Sequence, residues 1–151
     1  MAYTERRERE VAAPASDLWA AVHGLGGATG YGSLDRVWRL RAALDRVIGG
    51  PGMRGRPAQL SPQDALDFWR VEEVEPPRRL LLRAEMRMPG TARLELVVEP
   101  VDARRSRLVQ GTRFDPSGLP GHAFWWAELA GHKVVFRRLV EDLVAVAEST
   151  P

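Results

Sequence analysis

The longest periodic pattern in the chain lies near its C-terminus, between Leu119 and Glu148. Apolar residues and one histidine recur there at alternating steps of four and three, which is the spacing of one helical face. This stripe consists of Trp125, Leu129, His132, Phe136, Leu139, Leu143 and Val146. The pattern predicts one long amphipathic helix, which must bury the stripe against another part of the chain.

From Leu66 to Phe114 the apolar spacing changes to a period of two, as in β-strands with one buried face. Turn residues divide this region at hairpin spacing. The four predicted strands are Leu66–Val74, Leu80–Met88, Ala92–Val98 and Arg107–Phe114. One face of the resulting antiparallel sheet is apolar and the other is charged, so we expect the C-terminal helix to cover the apolar face.

Three shorter elements precede the sheet. Tyr3–Val11 is charged and predicts an exposed edge strand. Leu18–His23 and Leu34–Ile48 predict two helices, and the second ends at Gly49, Gly50 and Pro51. The expected apolar face of that second helix is Leu34, Val37, Leu40, Leu44 and Val47, widened by Trp38. The order predicts an α+β fold in a single domain over residues 1–151.

Composition narrows the function classes. The 22 basic and 20 acidic residues give a net charge of +2 without a basic block, so nucleic-acid binding is not expected. The absence of cysteine excludes disulfides and zinc–thiolate sites. The charged N-terminus lacks a signal core, and no apolar stretch approaches a membrane span. We therefore expect a cytoplasmic protein without stable membrane insertion.

The three histidines are His23, His122 and His132. Their spacing matches no metal-binding motif, so no metal site is expected. His132 differs from the others because it lies on the apolar stripe. It is either a hydrogen-bonded histidine of the core or a polar group that faces a cavity and can orient a ligand or move a proton.

The pattern also predicts a ligand cavity between the sheet and the C-terminal helix. Aromatic side chains and one buried amide share the faces that meet there, which suits an apolar or ring-shaped ligand. The expected lining residues are Trp38, Phe68, Met86, Leu94, Gln110, Phe114, Trp125, Leu129 and His132. Such a site needs a cavity of about 300 Å³ or more. Of the adjacent pair Trp125 and Trp126, only one can face it.

Two sets of charged residues can each be interpreted as structural or as functional. Arg54 and Arg56 lie in the glycine-rich loop Gly49–Pro57, which either binds an anion or is a solvated loop. Charged residues on the outer strand face, Arg83, Glu85, Arg93 and Glu95, predict a ladder of cross-strand ion pairs rather than a catalytic carboxylate pair.

The order of elements resembles the helix-grip fold of the START/SRPBCC superfamily, which includes lipid-transfer, plant-allergen and polyketide-cyclase-like proteins. Glu8–Pro14 followed by Asp17-Leu18-Trp19 is similar to that superfamily's opening strand, Ala-Pro turn and small helix. The resemblance implies a curved antiparallel sheet wrapped around a long C-terminal helix, with two short helices after the first strand.

Several segments resemble one family of unknown function within that superfamily: Val37–Arg41, Gly49–Gly52, Asp64–Glu72, Leu82–Met86 and Phe124–Trp126. In that family the domain often follows an NAD(P)-binding, epimerase-like Rossmann domain. The family loop carries adjacent arginines, whereas Gly55 separates them here. Because the sequence contains no Rossmann domain, the resemblance implies no cofactor.

These observations give one hypothesis and two alternatives. The hypothesis is that the chain binds a small, largely apolar or aromatic molecule in the cavity. The first alternative is a cyclase, dehydratase or isomerase with His132 or Asp67 as general acid or base. The second is an interaction module, in which Trp125, Trp126 and the Gly49–Arg56 loop dock a Rossmann-type oxidoreductase or a second copy of the chain.

Overall fold

The computed structural model describes residues 2–26 and 30–150. The elements follow the predicted order of strand, helices, sheet and long helix. They are β1 (Tyr3–Val11), α1 (Ala15–His23), a 3₁₀ turn (Gly32–Leu34), α2 (Asp35–Val47), β2 (Ala65–Leu66), β3 (Trp69–Glu75), β4 (Arg79–Ala84), β5 (Gly90–Pro100), β6 (Ser106–Pro116) and α3 (Gly118–Glu148).

All six strands form one antiparallel sheet in the order β1-β6-β5-β4-β3-β2. β1 pairs along its whole length with β6, from Tyr3 opposite Phe114 to Val11 opposite Ser106. It is an edge strand, as its charged sequence predicted. The antiparallel sheet and the long C-terminal helix are therefore both present.

The hydrophobic core fills one end of the space between sheet and helix. Leu18 and Val22 of α1 meet the second half of α3 there, on the inner face of the strands. The buried residues of that half of α3 are Leu139, Val140, Leu143, Val144 and Ala147. The first half of α3 covers the opposite end of the sheet, where packing is incomplete.

The apolar face predicted for α2 is wrong. Four of its residues are exposed, with exposed fractions of 44% for Val37, 62% for Leu40, 54% for Leu44 and 83% for Val47. Leu34 is partly buried against the core, and Trp38, which widened the predicted face, is buried together with Ala42 and Asp45. The reason is Asp45, whose carboxylate accepts hydrogen bonds from the backbone N–H groups of Gly52 at 3.2 Å and Arg87 at 2.6 Å. These bonds turn that side of the helix inward.

The strand boundaries also differ from the prediction. Asp67 has φ +53°, in the left-handed region, and separates β2 from β3. β4 ends at Ala84, because the chain then leaves the ladder and the Arg87 N–H reaches Asp45. Met86 and Met88 therefore follow the strand. Val146 is the one exposed residue of the predicted α3 stripe, since Val144 and Ala147 face the core.

Ion pairs cover the outer face of the sheet, as expected. Glu85 pairs with Arg70 at 2.9 Å, Glu95 with Arg79 at 2.6 Å, and Arg93 with Glu72 at 2.6 Å. Each partly exposed pair contributes about 0–1 kcal/mol. No helix among the described residues combines the length and apolar character needed to cross a bilayer.

Candidate functional site

An apolar cavity of about 230 Å³ lies between α2, the first half of α3 and the end of the sheet where β4 stops. Its inner walls are formed by buried side chains: Trp38, Trp69, Thr112, Phe114 and Trp125. Exposed residues form the rim: Val37, Arg113, Glu128 and Gly131. The cavity is smaller than the expected 300 Å³, but an apolar cavity of about 150 Å³ already admits benzene. A ligand of one ring with small substituents therefore fits.

Trp125 is held by two strand residues that face each other across β1 and β6. Its ring stacks on Tyr3, with centroids 4.9 Å apart, and on Phe114, at 5.9 Å. Trp126 points away and is 64% exposed. The structure thus distinguishes the two tryptophans, and Trp125 is the one that faces the cavity.

Trp38 forms the wall opposite Trp125 and belongs to an aromatic stack. Its ring stacks on Tyr31 at 4.9 Å and on Phe68 at 5.6 Å, and the Phe136 ring meets it edge-on at 5.6 Å. Such pairs contribute about 0.5–1.5 kcal/mol beyond their buried area. The stack fixes the ring that the cavity presents to a ligand.

Asp67 lies behind this wall and does not line the cavity. Its Oδ2 accepts a hydrogen bond from the buried Tyr31 hydroxyl at 2.8 Å, and its Oδ1 accepts one from the Gly55 N–H at 3.0 Å. Burial, together with the Asp67 charge, raises the pKa of Tyr31 above its ordinary value. Tyr31 is therefore a neutral donor that anchors the stack to the loop.

Two polar atoms of the cavity residues, Trp38 Nε1 and Thr112 Oγ1, are buried and lack a hydrogen-bond partner among the described residues. Buried polar groups in native proteins are nearly always paired, because an unpaired one costs about 1–3 kcal/mol. Both atoms belong to residues that line the same cavity, which indicates a place where a ligand or water completes the hydrogen bonding.

His132 lies on the cavity wall among two rings and one carboxylate. Its ring centroid is 4.9 Å from that of Trp125 and 4.6 Å from that of Phe136. Its Nδ1 is 3.4 Å from Oε2 of Glu5. Burial lowers the pKa of His132, Glu5 opposes that shift and Arg7 adds to it. The neutral imidazole at pH 7 can accept a proton.

The structure places five of the nine predicted lining residues on the cavity: Trp38, Met86, Phe114, Trp125 and His132. The other four do not line it. Phe68 and Leu94 are buried more deeply, and Leu129 lies off the cavity-facing side of α3. Gln110 is occupied, because its Nε2 donates to the Phe136 carbonyl at 3.1 Å and its Oε1 accepts from Arg7 at 3.4 Å.

Sequence reasoning missed several wall residues. Trp69, Thr112, Phe124, Val135 and Phe136 all line the cavity. Thr112 lies between Gln110 and Phe114 in the same strand alternation, and Phe136 is on the α3 stripe, so a signal existed for both. For Trp69 the only signal was its aromatic side chain next to Phe68, because the turn at Asp67 resets the alternation that would otherwise assign its face.

The two loop arginines have different environments. Arg54 donates to the carbonyls of Asp67 at 2.7 Å and Trp69 at 3.1 Å, and it pairs with Glu85 at 2.7 Å. Arg56 has Nε and Nη2 buried without a hydrogen-bond partner among the described residues. The Arg56 charge, added to burial, lowers the pKa of His23. Arg54 is thus a structural residue, and the anion-binding prediction now concerns Arg56.

Within residues 2–26 and 30–150, no three His, Asp or Glu side chains converge as a metal site would require. The residues that line the cavity offer aromatic rings, one imidazole, a few hydrogen-bonding groups and, on the rim, arginine and glutamate side chains.

The fold recurs in solved structures of low sequence identity. DynU16, a putative protein of the dynemicin biosynthetic locus, has 20% identity and a TM-score of 0.58 over 97% of this chain. The chain spans 47% of DynU16. The Zhui aromatase/cyclase from Streptomyces sp. R1128 has 15% identity and a TM-score of 0.55, with 98% of this chain and 94% of that one covered.

Norcoclaurine synthase from Thalictrum flavum, solved with dopamine and hydroxybenzaldehyde, has 11% identity and a TM-score of 0.59. The match covers all of this chain and 90% of the synthase. No protein of curated function is significantly similar in sequence. These neighbours are SRPBCC proteins, so the α+β helix-grip fold expected from the sequence is confirmed.

The family assignment comes from the sequence itself. The family model described as protein of unknown function (DUF2867) matches residues 1–139. The expected membership of a family of unknown function is thereby confirmed. The chain belongs to the DUF2867 family and has the SRPBCC helix-grip fold.

Proposed function

We propose that this protein binds a small, largely apolar molecule of about one aromatic ring in the cavity between the sheet and α3. The observation that carries the proposal is the unfilled volume of about 230 Å³, walled by aromatic side chains. Interiors are normally close-packed, so a space of this size has lost packing contacts that a ligand restores. The unpaired Thr112 hydroxyl and Trp38 N–H supply the few polar contacts that orient such ligands.

The structural neighbours support the same ligand class. The Thalictrum flavum synthase was solved with two single-ring aromatic molecules, and the Streptomyces protein is an aromatase/cyclase. At these identities the neighbours share only the fold with this chain, so their support is limited to the ligand class that their titles name. The ligand-binding proposal then depends on the residues of this chain.

Native mass spectrometry of the purified protein, followed by denaturing extraction, tests for a ligand that co-purifies. Phenol is a defined single-ring probe of the cavity, and its binding can be followed by saturation-transfer NMR. We expect phenol to bind the wild type. We expect Gly131→Leu to abolish binding, because Gly131 lies on the cavity rim and a Cβ there meets no atom within 4 Å, so a leucine side chain has room to obstruct the cavity.

Ala130→Leu is the matched control. Ala130 is the exposed neighbour of Gly131 on α3 and does not line the cavity. Its substitution should leave phenol binding unchanged. Equal phenol signals from the wild type and the Gly131→Leu variant would place binding elsewhere and contradict the proposal.

A second candidate function is proton-transfer catalysis of the cyclase, dehydratase or isomerase kind. The observation that favours it is His132, which lines the cavity with the Glu5 carboxylate 3.4 Å away and a lowered pKa. Asp67, the other candidate, is separated from the cavity by the aromatic wall. Once a substrate is identified, full turnover by a His132→Ala variant would remove His132 from this role.

A third candidate is the interaction module with a Rossmann-type oxidoreductase partner or a second copy. Its support is the exposed apolar face of α2 and the exposed Trp126. Trp125 no longer contributes, because it is buried in the cavity wall. Gel filtration and a pull-down with the Leu40→Glu variant as control test this candidate, and a monomer that captures no partner would argue against it.

A further inference from the structure

The charges on the cavity rim differ in whether they are already paired. Arg113 forms two hydrogen bonds with Asp115, both at 2.9 Å. Arg93 pairs with Glu72 at 2.6 Å. These two cations are neutralised by carboxylates of the sheet and have little remaining attraction for a ligand.

Arg41 is the exception among the rim cations. It lies on α2, one turn beyond Trp38 and Val37, and lines the cavity. It forms no hydrogen bond or ion pair with any residue of the described part of the chain. It is also half-buried. A partly desolvated guanidinium interacts more strongly with an anion than a fully solvated one does, because screening by water is weaker.

We propose that the ligand of this cavity is an aromatic monocarboxylate whose carboxylate pairs with Arg41 while its ring lies among the tryptophans. The proposal rests on the ligand-binding function proposed above and specifies the ligand class. A guanidinium fits a carboxylate with two parallel hydrogen bonds, which fixes the orientation of the ring below it.

The opposite side of the rim argues for a single negative charge. Glu128 of α3 also lines the cavity and has no ion-pair partner among the described residues. It is exposed, so its repulsion is weaker than the attraction of half-buried Arg41. Arg41 is the one rim arginine without a partner among the described residues, so the rim matches a single carboxylate, whereas the second charge of a phosphate monoester would find no unpaired arginine.

The test compares benzoate with benzamide, a neutral molecule of nearly the same shape, by isothermal titration calorimetry. The variants are Arg41→Gln and Arg39→Gln. Arg39 is the matched control, because it lies on the same helix, pairs with Asp35 at 2.6 Å and does not line the cavity. We expect Arg41→Gln to weaken benzoate binding at least tenfold and to change benzamide binding less than twofold. Arg39→Gln should change neither.

The possible failures are distinguishable. If benzamide binds the wild type as tightly as benzoate, or if the two variants weaken benzoate equally, the carboxylate assignment is wrong and the ligand-binding function stands. If neither molecule binds at millimolar concentration, the cavity is not a site for single-ring ligands and both proposals fall. The Glu128→Gln variant is a second, independent test of the carboxylate assignment. Removal of the Glu128 charge should tighten benzoate binding and leave benzamide binding unaffected.

Discussion

At the scale of single residues, two glycines of α3 have opposite surroundings. Gly131 has open space where a Cβ would lie, whereas a Cβ at Gly121 would approach the Pro89 carbonyl oxygen to 2.5 Å and Pro116 Cβ to 2.7 Å. Alanine is favoured over glycine by about 0.5–1 kcal/mol within a helix. We expect Gly131→Ala to stabilise the protein by about that amount and Gly121→Ala to destabilise it. Urea unfolding measures both, and a stabilising Gly121→Ala would contradict the packing described.

His132 should make stability depend on pH. Because burial lowers its folded pKa below the ordinary 6.5, the unfolded chain binds more protons between the two values. Stability contributed by neutral His132 is therefore present above pH 6.5 and is lost as the pH falls through 6.5 toward the folded pKa. His23, whose pKa is also lowered, acts in the same direction.

NMR titration of the His132 ring measures this pKa directly. We expect a value below 6.5 and a further decrease in the Glu5→Gln variant, since the Glu5 charge raises the pKa. A wild-type value above 6.5 would mean that the carboxylate at 3.4 Å prevails over burial, and His132 would then be charged near neutrality.

Arg54 and Arg56 should respond differently to removal of charge. Arg54→Met breaks an ion pair and two backbone hydrogen bonds, so we expect a loss of about 1–3 kcal/mol. Arg56→Met removes a guanidinium with two unpaired buried nitrogens and should be neutral or stabilising in anion-free buffer. If Arg56 binds an anion, inorganic phosphate should raise the unfolding midpoint of the wild type but not of Arg56→Met.

At the scale of elements, α2 shows which features the hydrophobic pattern predicts and which it does not. Apolar periodicity gave the approximate position and length of α2 and α3 and the order of the strands, because burial imposes those periods, but not every strand boundary. It gave the wrong buried face for α2. The orientation depends on the Asp45 carboxylate, which accepts hydrogen bonds from Gly52 in the loop after α2 and from Arg87 in a turn 42 residues away, and local sequence does not encode the second contact.

Because the apolar side chains of α2 are exposed, substitutions on this helix should affect the free energy of unfolding differently on its two faces. Leu40→Glu and Val47→Glu should change the free energy of unfolding by no more than about 0.5 kcal/mol, because both side chains are exposed. Asp45→Ala should cost at least about 1–3 kcal/mol, since two buried N–H groups lose their acceptor. Chemical denaturation of the three variants measures this contrast. A large loss for Leu40→Glu would mean that the predicted apolar face is buried after all.

The sequence predicted those residues of the candidate site whose position follows from the helical period of α3 or from strand alternation. The α3 stripe placed Trp125 and His132, and strand alternation placed Phe114. The sequence did not predict where loop residues and buried polar side chains lie in three dimensions. Met86 was predicted as a strand residue and reaches the cavity from a turn, while Gln110 was predicted to meet a ligand and instead binds the Phe136 carbonyl. Which polar atom finds a protein partner depends on three-dimensional contacts that spacing does not supply.

At the scale of the whole molecule, packing is divided between two ends. The second half of α3 closes a filled core with α1, while its first half spans the cavity. A ligand that binds only the folded state stabilises it by about 2.7 kcal/mol at a concentration of 100 times its Kd. That stabilisation need not be uniform, because regions open locally with different free energies.

We therefore expect a bound probe to slow hydrogen exchange mainly at the cavity end. With benzamide as the probe, amides near Ala84, Ala92 and His132 should gain protection, whereas any increase at the core end around Leu143 should be smaller. Benzamide is neutral, so the result does not depend on the carboxylate assignment. Gly131→Leu is the control, since its side chain occupies the cavity and should remove the effect of the probe. Equal protection at both ends would mean that the cavity and the core open as one unit, whereas protection confined to the core end would place the probe outside the cavity.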